Sequence, residues 1–279
     1  MPLHPDFERV YTLAALPINS CRLILQRGGE VAVARSAERT TLPAHSDVAH
    51  LLEFALEPVL PLGKMGEAAY AAVSLPEGVE LPSEYEFVDI RQLFGALPLE
   101  EYLIAGYAGQ IRHWTLISAH CGSCGGTMSG VNKEWMRKCS GCGNEVYPPV
   151  CPALLVLVHD GGDGLLMAHK PGWGDRYSIF AGFVLPGESL EECVHREVLE
   201  EAGVIVNDLQ YAGSQPWPFP HQLMIGFRAR YVSGEIAIDE EELDDSRWFT
   251  ATTLPALPGP LSLSRQMIDS WVNEVMGAI

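Results

Sequence analysis

The sequence predicts an α/β protein in three parts, on three observations. Short apolar runs broken by glycine and proline alternate with stretches of helical periodicity, both early and late in the chain. Four cysteines cluster within 22 residues near the middle. A glutamate-rich segment beyond them carries both a helix start signal and a helix stop signal. The expected divisions are 1–117 for an N-terminal α/β domain, 118–148 for a cysteine ribbon and 149–279 for a second α/β domain.

In the first part Cys21–Gln26, Glu30–Ala34, Ala68–Ser74 and Glu86–Ile90 read as strands. Pro98–Ile117 reads as a helix, with Leu99, Tyr102, Leu103, Tyr107 and Ile111 recurring every three or four residues. No internal repeat is visible. In the last part Ala153–His159 is a buried strand run, Gly161–Gly164 a hairpin tip and Leu165–His169 the returning strand. Met224–Val232 and Arg247–Phe249 are further strands. From Ser262 to Ile279, the residues Met267, Ile268, Trp271, Val272 and Val275 fall at helical spacing, as expected of a helix packed on the core.

A chain of 279 residues can form one large core or two smaller ones. Its 18 basic and 36 acidic residues give a net charge of −18, which disfavours non-specific adhesion to nucleic acid or anionic lipid. That balance still permits a phosphorylated substrate held through divalent cations. No apolar run reaches the roughly 18 residues of a membrane span, so none is expected. Met1–Val10 is interrupted by proline and carries Asp6 and Glu8, unlike a secretory signal. The expected compartment is the cytoplasm.

The cysteine cluster reads Cys121-Gly-Ser-Cys124, fourteen residues, Cys139-Ser-Gly-Cys142. Each C-x-x-C places two thiolates on one tight turn, and two facing turns give a tetrahedral, closed structural zinc site. A redox pair and an iron–sulfur site are the competing readings. A closed site has no open coordination position, so its expected role is folding and placement. Lys133, Arg137 and Lys138 make this segment locally basic, as a solvated or a phosphate-facing surface. Cys21, Cys151 and Cys193 lack metal-like spacing and read as small buried apolar residues.

In the glutamate-rich segment, Ser189 with Glu192 forms a capping box, so a helix should start near Leu190 and stop at Gly203. At about 100° per residue, Leu190, Val194, Val198 and Ala202 share a core-facing stripe, with Glu197, Glu200 and Glu201 on the adjoining arc. Clustered carboxylates repel one another. They suit hard cations such as Mg²⁺ or Mn²⁺, or else form a solvated acidic face.

The spacing resembles the Nudix box residue for residue. Gly182, Glu188, Arg196, Glu197, Val198, Glu200, Glu201, Gly203 and Val204 fill its nine specified positions. The resemblance implies a Nudix α/β/α sandwich with a mixed sheet. Its loop–helix–loop would bind Mg²⁺ or Mn²⁺ and hydrolyse a nucleoside diphosphate linked to another group. It further implies Glu197 and Glu201 as principal metal ligands and Glu200 as a further ligand or an aid to the attacking water. The carbonyl of Ala181 would be another ligand, and Arg196 would orient the carboxylates through charge-assisted hydrogen bonds.

Downstream stands Ser214-Gln215-Pro216-Trp217-Pro218-Phe219-Pro220-His221-Gln222. Three prolines around two aromatics make a stiff loop, for packing or for ligand contact. In this setting it resembles the signature of the NADH pyrophosphatases over seven consecutive residues, departing at Gln222, where that family has serine. The ribbon ahead of the Nudix segment, Lys133-Glu134-Trp135 within it and Tyr147-Pro148 after it agree, and the resemblance covers residues 88–279. It implies NADH or NAD as substrate, NMN(H) and AMP as products, and removal of NAD caps from RNA 5′ ends as a related activity. It implies also a structural zinc and a homodimer whose sites borrow residues from both subunits.

Carried over position by position, Phe183 and Tyr147 would stack on a base. Glu134 and the loop residues Gln215, Pro216, Trp217, Pro218, Phe219, Pro220, His221 and Gln222 would contact substrate. Glu242, in the acidic run Asp239–Asp245, would be a remote metal ligand, beside the plain reading of a solvated charge run. Arg91 and Ser264 would be further substrate contacts. Two alternatives stand beside this one. Hydrolysis of another dinucleotide or a nucleotide sugar is opposed by the stiff aromatic loop. A non-catalytic nucleotide-sensing regulator is opposed by the intact box carboxylates.

Overall fold

The computed structural model of the protein describes residues 3–37 and 39–277. The remaining positions of the N-terminal stretch and of the final helix read above, Met1, Pro2, Ala278 and Ile279, lie outside the described residues. Two compact units form, one from the residues up to Pro149 together with Pro218–His221, the other from Val150–Trp217 and Gln222 onward.

In the N-terminal unit the strands are β1 (Phe7–Arg9), β2 (Arg22–Arg27), β3 (Glu30–Arg35), β4 (Thr40–Thr41), β5 (Leu60–Met65), β6 (Ala68–Ser74) and β7 (Tyr85–Asp89). Their order is β1-β5-β6-β2-β3-β4, with β7 also paired to β3. The β2–β6 pair is parallel and its neighbours antiparallel, so the sheet is mixed. One face buries Cys21, Leu23, Leu25, Ala71 and Val73 against the short helix α1 (His45–Val48) and the 3-10 turn after it. Helix α2 (Leu99–Ile117) buries Tyr102, Ile104, Ala105, Ala108, Ile111 and Trp114. Leu99, placed by periodicity on its apolar stripe, is exposed, and Glu101 and Tyr102 are the buried residues of the first turn. After α2 come the paired ribbon strands β8 (Arg137–Lys138) and β9 (Glu145–Val146).

The C-terminal unit holds β10 (Cys151–His159), β11 (Gly164–His169), β12 (Phe180–Phe183), α3 (Leu190–Ala202), β13 (Ile205–Trp217), β14 (Gln222–Ser233), β15 (Asp245–Thr250) and α4 (Leu263–Gly277). The sheet order is β13-β14-β10-β11-β15, with β12 on β10 and β10 parallel to β14. Alternation along β10 builds both layers. Leu154, Val156 and Val158 face α3 through Val194, Val198 and Ala202. Leu155 and Leu157 face Met267, Ile268 and Trp271 of α4. The result is a three-layer α/β/α sandwich. Cys193 is buried, and burial pushes its thiol up to about 12.

Two expectations are corrected. The segment read as a stiff loop is a loop only at Pro218–His221. Ser214–Trp217 continues β13 and pairs with Gln222–Ile225. Proline is admissible there because β13 is the sheet's edge strand, where no ladder N–H is needed on the open side. Secondly, a repeat exists that residue identity does not display. The path β5-β6-β2-β3, with β7 on β3, has the strand order and pairing senses of β13-β14-β10-β11, with β15 on β11. What is shared is strand order and pairing sense. Where the C-terminal unit has α3, the N-terminal unit has α1 and a 3-10 turn without a glutamate cluster.

Candidate active site

Helix α3 starts where its capping residues dictate. The Ser189 hydroxyl accepts the Glu192 amide at 3.2 Å, and the Glu192 carboxylate accepts the Ser189 amide at 2.8 Å. Gly203, at φ 71°, ends it in the left-handed conformation that favours glycine. With both ends fixed, the side-chain arc is fixed too. The apolar stripe is buried as the periodicity requires, and the glutamates lie beside it.

Gly182 on β12 is the counterpart of Glu197. A Cβ at Gly182 would lie 1.8 Å from the Glu197 carboxyl carbon, so this carboxylate rests directly on backbone that only glycine leaves open. Ala181, the expected carbonyl ligand, is the adjacent residue and pairs with Leu155.

Arg196 organises the near side of the helix. Its guanidinium donates to both oxygens of Glu188, at 2.7 and 2.9 Å, to Glu197 at 2.8 Å, to Glu200 at 2.9 Å and to the Phe183 carbonyl at 2.9 Å. The Arg196 hydrogen bonds, with the Leu185 amide, hold the Glu188 carboxyl down at about 2. Glu188 belongs to the box, yet its spacing does not announce this role as the anchor of Arg196.

Glu201 behaves differently. It is 2% exposed, and burial pushes its carboxyl up to about 7 against the opposing pull of Lys170. Lys170, just past the end of β11, donates to Glu201 Oε1 at 3.0 Å and to Glu242 Oε2 at 3.2 Å. Nothing in the motif pointed to Lys170. The other Glu201 oxygen, Oε2, is buried and without a hydrogen-bond partner.

Among the described residues, only the four cysteines bring three or more His, Cys, Asp or Glu ligand atoms within 4.8 Å of one another. The carboxylates are instead divided between two cations of the chain, Arg196 for Glu197 and Glu200, Lys170 for Glu201 and Glu242. The donor set nevertheless fits a hard divalent cation. It offers oxygen atoms alone, and one carboxylate oxygen, Glu201 Oε2, is buried with nothing to bind.

The ribbon sulfurs stand 3.7 Å apart for Cys121 and Cys142 and 3.4 Å apart for Cys124 and Cys139. Four thiolates at roughly 2.3 Å from one zinc would be about 3.8 Å apart, so the set fits a tetrahedral zinc. Both turns close alike. Gly125 donates to the Cys121 carbonyl at 2.8 Å and Gly143 to the Cys139 carbonyl at 3.1 Å. Backbone amides aimed at the sulfurs, Ser123 and Cys124 at Cys121 and Cys142 and Gly141 at Cys139, lower these two thiols and favour the thiolates a metal requires. Arg137 is not a solvated charge. Its guanidinium donates to the carbonyls of Ser129 and Thr115, both at 2.7 Å, and to the Ser118 hydroxyl at 3.2 Å, joining the ribbon to the end of α2.

The remaining candidates separate by environment. Phe183 is 50% and Tyr147 54% exposed, each an open ring available for stacking. Glu134 is exposed, while Trp135 beside it packs edge-on against Tyr11 and Tyr107. Within the N-terminal unit, Arg91 lies 4.2 Å over the Phe219 ring, His221 stacks on His113, and Pro218 meets Gly106. Pro216 and Trp217 lie in β13, Gln222 opens β14, and Pro220 completes the turn between them. Gln215 is buried and committed to the protein, donating to the Leu261 carbonyl at 2.9 Å and accepting the Leu263 amide at 2.7 Å. Ser264, also buried, donates to the Ser262 hydroxyl.

Fold and box are those of a Nudix hydrolase, and the NUDIX domain family matches residues 150–270. Residues 20–114 match the NADH pyrophosphatase-like rudimentary NUDIX domain, in keeping with the repeated strand order. An NAD-capped RNA hydrolase NudC of Pseudomonas aeruginosa is 43% identical over 214 residues, 76% of each chain. The protein of that name from Deinococcus radiodurans is 41% identical over 217 residues, 76% of this chain and 77% of its own. Among solved structures, a Nudix hydrolase from Nitrosomonas europaea aligns over 57% of this chain and 92% of its own, at 19% identity and a TM-score of 0.48. The chain belongs to the NADH pyrophosphatase family of the Nudix hydrolases.

Proposed function

We propose that this protein hydrolyses the diphosphate of NADH or NAD to NMN(H) and AMP, and that the same site removes NAD caps from RNA 5′ ends. The observation that carries the reading is Glu201, a buried box carboxylate with an unpartnered oxygen on a helix that Gly182 admits close to β12. Family membership and the relatives' names as NAD-capped RNA hydrolases support the substrate class.

Glu197, Glu200, Glu201 and Glu242, with the Ala181 carbonyl, would hold Mg²⁺ or Mn²⁺. Such cations, when bound, neutralise a diphosphate and acidify a water. The chain's own part is positional. Arg196, anchored by Glu188, sets the Glu197 and Glu200 carboxylates on one side of α3. The open rings of Phe183 and Tyr147 offer stacking faces to a base. Cys121, Cys124, Cys139 and Cys142 would hold a structural zinc. A homodimer and a cytoplasmic location are proposed on family resemblance. No helix among the described residues is long and apolar enough to cross a membrane.

Parallel kinetics on NADH, NAD, ADP-ribose and an NAD-capped RNA, with Mg²⁺ and with Mn²⁺, test the reading. AMP or NMN-containing products from NAD(H) or the capped RNA are expected. Rapid cleavage of ADP-ribose with NADH left intact would overturn the substrate assignment.

A further inference from the structure

Lys170 is the one lysine bonded to a carboxylate of the box helix among the described ion pairs. Its position is firmly built. The residue before it, His169, is bonded to Asp244 through its ring, and the His169 carbonyl accepts the Asp244 amide at 3.2 Å. Asp244 ends the acidic turn that carries Glu242. That turn is folded by the Glu242 and Leu243 amides on the Asp239 carbonyl, at 3.1 and 2.8 Å. Leu243 is buried in the core, and the Asp239 amide reaches the Glu201 carbonyl at 3.3 Å. β11, α3 and the acidic turn therefore converge on one ammonium, half-buried between two carboxylates from different elements.

An ammonium in that place does what a divalent cation would do there, with less charge and fewer ligands. It satisfies only one oxygen of Glu201 and leaves Oε2 unpartnered. Lysine suits this use. Its compact head sits on a flexible stem, so it can withdraw without disturbing the strand it follows.

We infer that Lys170 is an internal counter-ion of the metal site: it bridges Glu201 and Glu242 in the metal-free protein, must leave for the cation to enter, and thereby sets the metal affinity. The inference rests on the hydrolase reading only in taking those two carboxylates to face the metal. Lys170 is a positioning residue here, acting through Glu201 and Glu242.

The test is Mn²⁺ titration of the full zinc-loaded chain by electron paramagnetic resonance, with thermal unfolding in the presence and absence of Mn²⁺. Removing the ammonium raises the metal-free state relative to the loaded one. Lys170→Met should therefore bind Mn²⁺ about tenfold more tightly, the scale of one charged hydrogen-bonded contact. It should also melt lower without metal, and the gap to its Mn²⁺-loaded form should widen. Lys170→Arg should stay within a few-fold of wild type, because the charge is kept. Glu201→Gln should weaken the same Mn²⁺ site. If Lys170→Met does not fold without metal, Lys170→Gln, polar and uncharged, is titrated in its place. Unchanged or weaker Mn²⁺ binding on loss of the ammonium would overturn the inference. So would an equal drop in both melting temperatures, as a merely structural lysine would give, or a Mn²⁺ affinity indifferent to Glu201→Gln. NADH cleavage by wild type is followed alongside. Its absence would count against the hydrolase reading, whereas the Mn²⁺ affinities decide the role of Lys170.

Discussion

The carboxylate of Glu197 lies where a side chain on Gly182 would have to be, with 1.8 Å between its carboxyl carbon and the position of a Cβ. Two positions of the box, fifteen residues apart, are thus one structural fact. Gly182→Ala must push Glu197 off the strand. Because a displacement of about 1 Å at a catalytic group can cost roughly 100-fold, kcat/KM for NADH should fall by about that factor. Circular dichroism should show the fold retained. Near-wild-type activity would separate Glu197 from the chemistry.

Arg196 holds three carboxylates and one carbonyl with a planar fork that lysine does not possess. Arg196→Lys should therefore lower kcat by roughly tenfold or more while the protein stays folded. Steady-state kinetics against Glu188→Gln test the arrangement. If Glu188 acts only by anchoring Arg196, the double variant should be little worse than the poorer single one.

The raised Glu201 carboxyl fixes a pH dependence for protein that keeps zinc but is freed of Mg²⁺ and Mn²⁺. Its folded pKa, about 7, exceeds the ordinary 4.5, chiefly through burial. The folded state therefore holds its proton more tightly than the unfolded state. The corresponding stability is complete below about pH 4.5 and lost as pH rises through 7. The shift corresponds to on the order of 3 kcal/mol. Denaturant unfolding across that window should show the decline, and Glu201→Gln should flatten it.

Gln215 is spent on α4. Truncation to Ala leaves the buried Leu263 amide without its partner, while the Leu261 carbonyl keeps only the Gln266 side chain. Urea unfolding should register a loss of about 2 kcal/mol, the usual result of stranding buried polar groups. A change within measurement error would show that water replaces the amide.

The ribbon should carry about one zinc per chain, as a single four-thiolate site does. Cys124→Ser should release zinc and lower the melting temperature, because Arg137 ties the ribbon to the end of α2. Metal analysis by mass spectrometry with thermal scans reads both. A zinc-free wild type with unchanged stability would discard the structural zinc.

Much of this was legible in the sequence where the signal is local. The Ser189–Glu192 capping box, the Gly203 stop and the alternation along Cys151–His159 each depend on neighbours a few residues away. What escaped depends on distance. Lys170 meets partners 31 and 72 residues along the chain, so no periodicity reveals it. Arg137 read as surface because charge alone does not disclose three oxygens waiting for it. Pro216 read as loop because its compatibility with a strand requires knowing that β13 lies at the edge. The shared strand order of the two units lies in backbone pairing, which different residues satisfy equally well.

A crystal structure of the protein soaked with Mn²⁺, read by anomalous scattering, tests the metal site most directly. Manganese bound by Glu197 and Glu201, with the Lys170 ammonium withdrawn from between Glu201 and Glu242, is the predicted result. Those carboxylates free of manganese at saturating concentration, with Lys170 still in place, would contradict it.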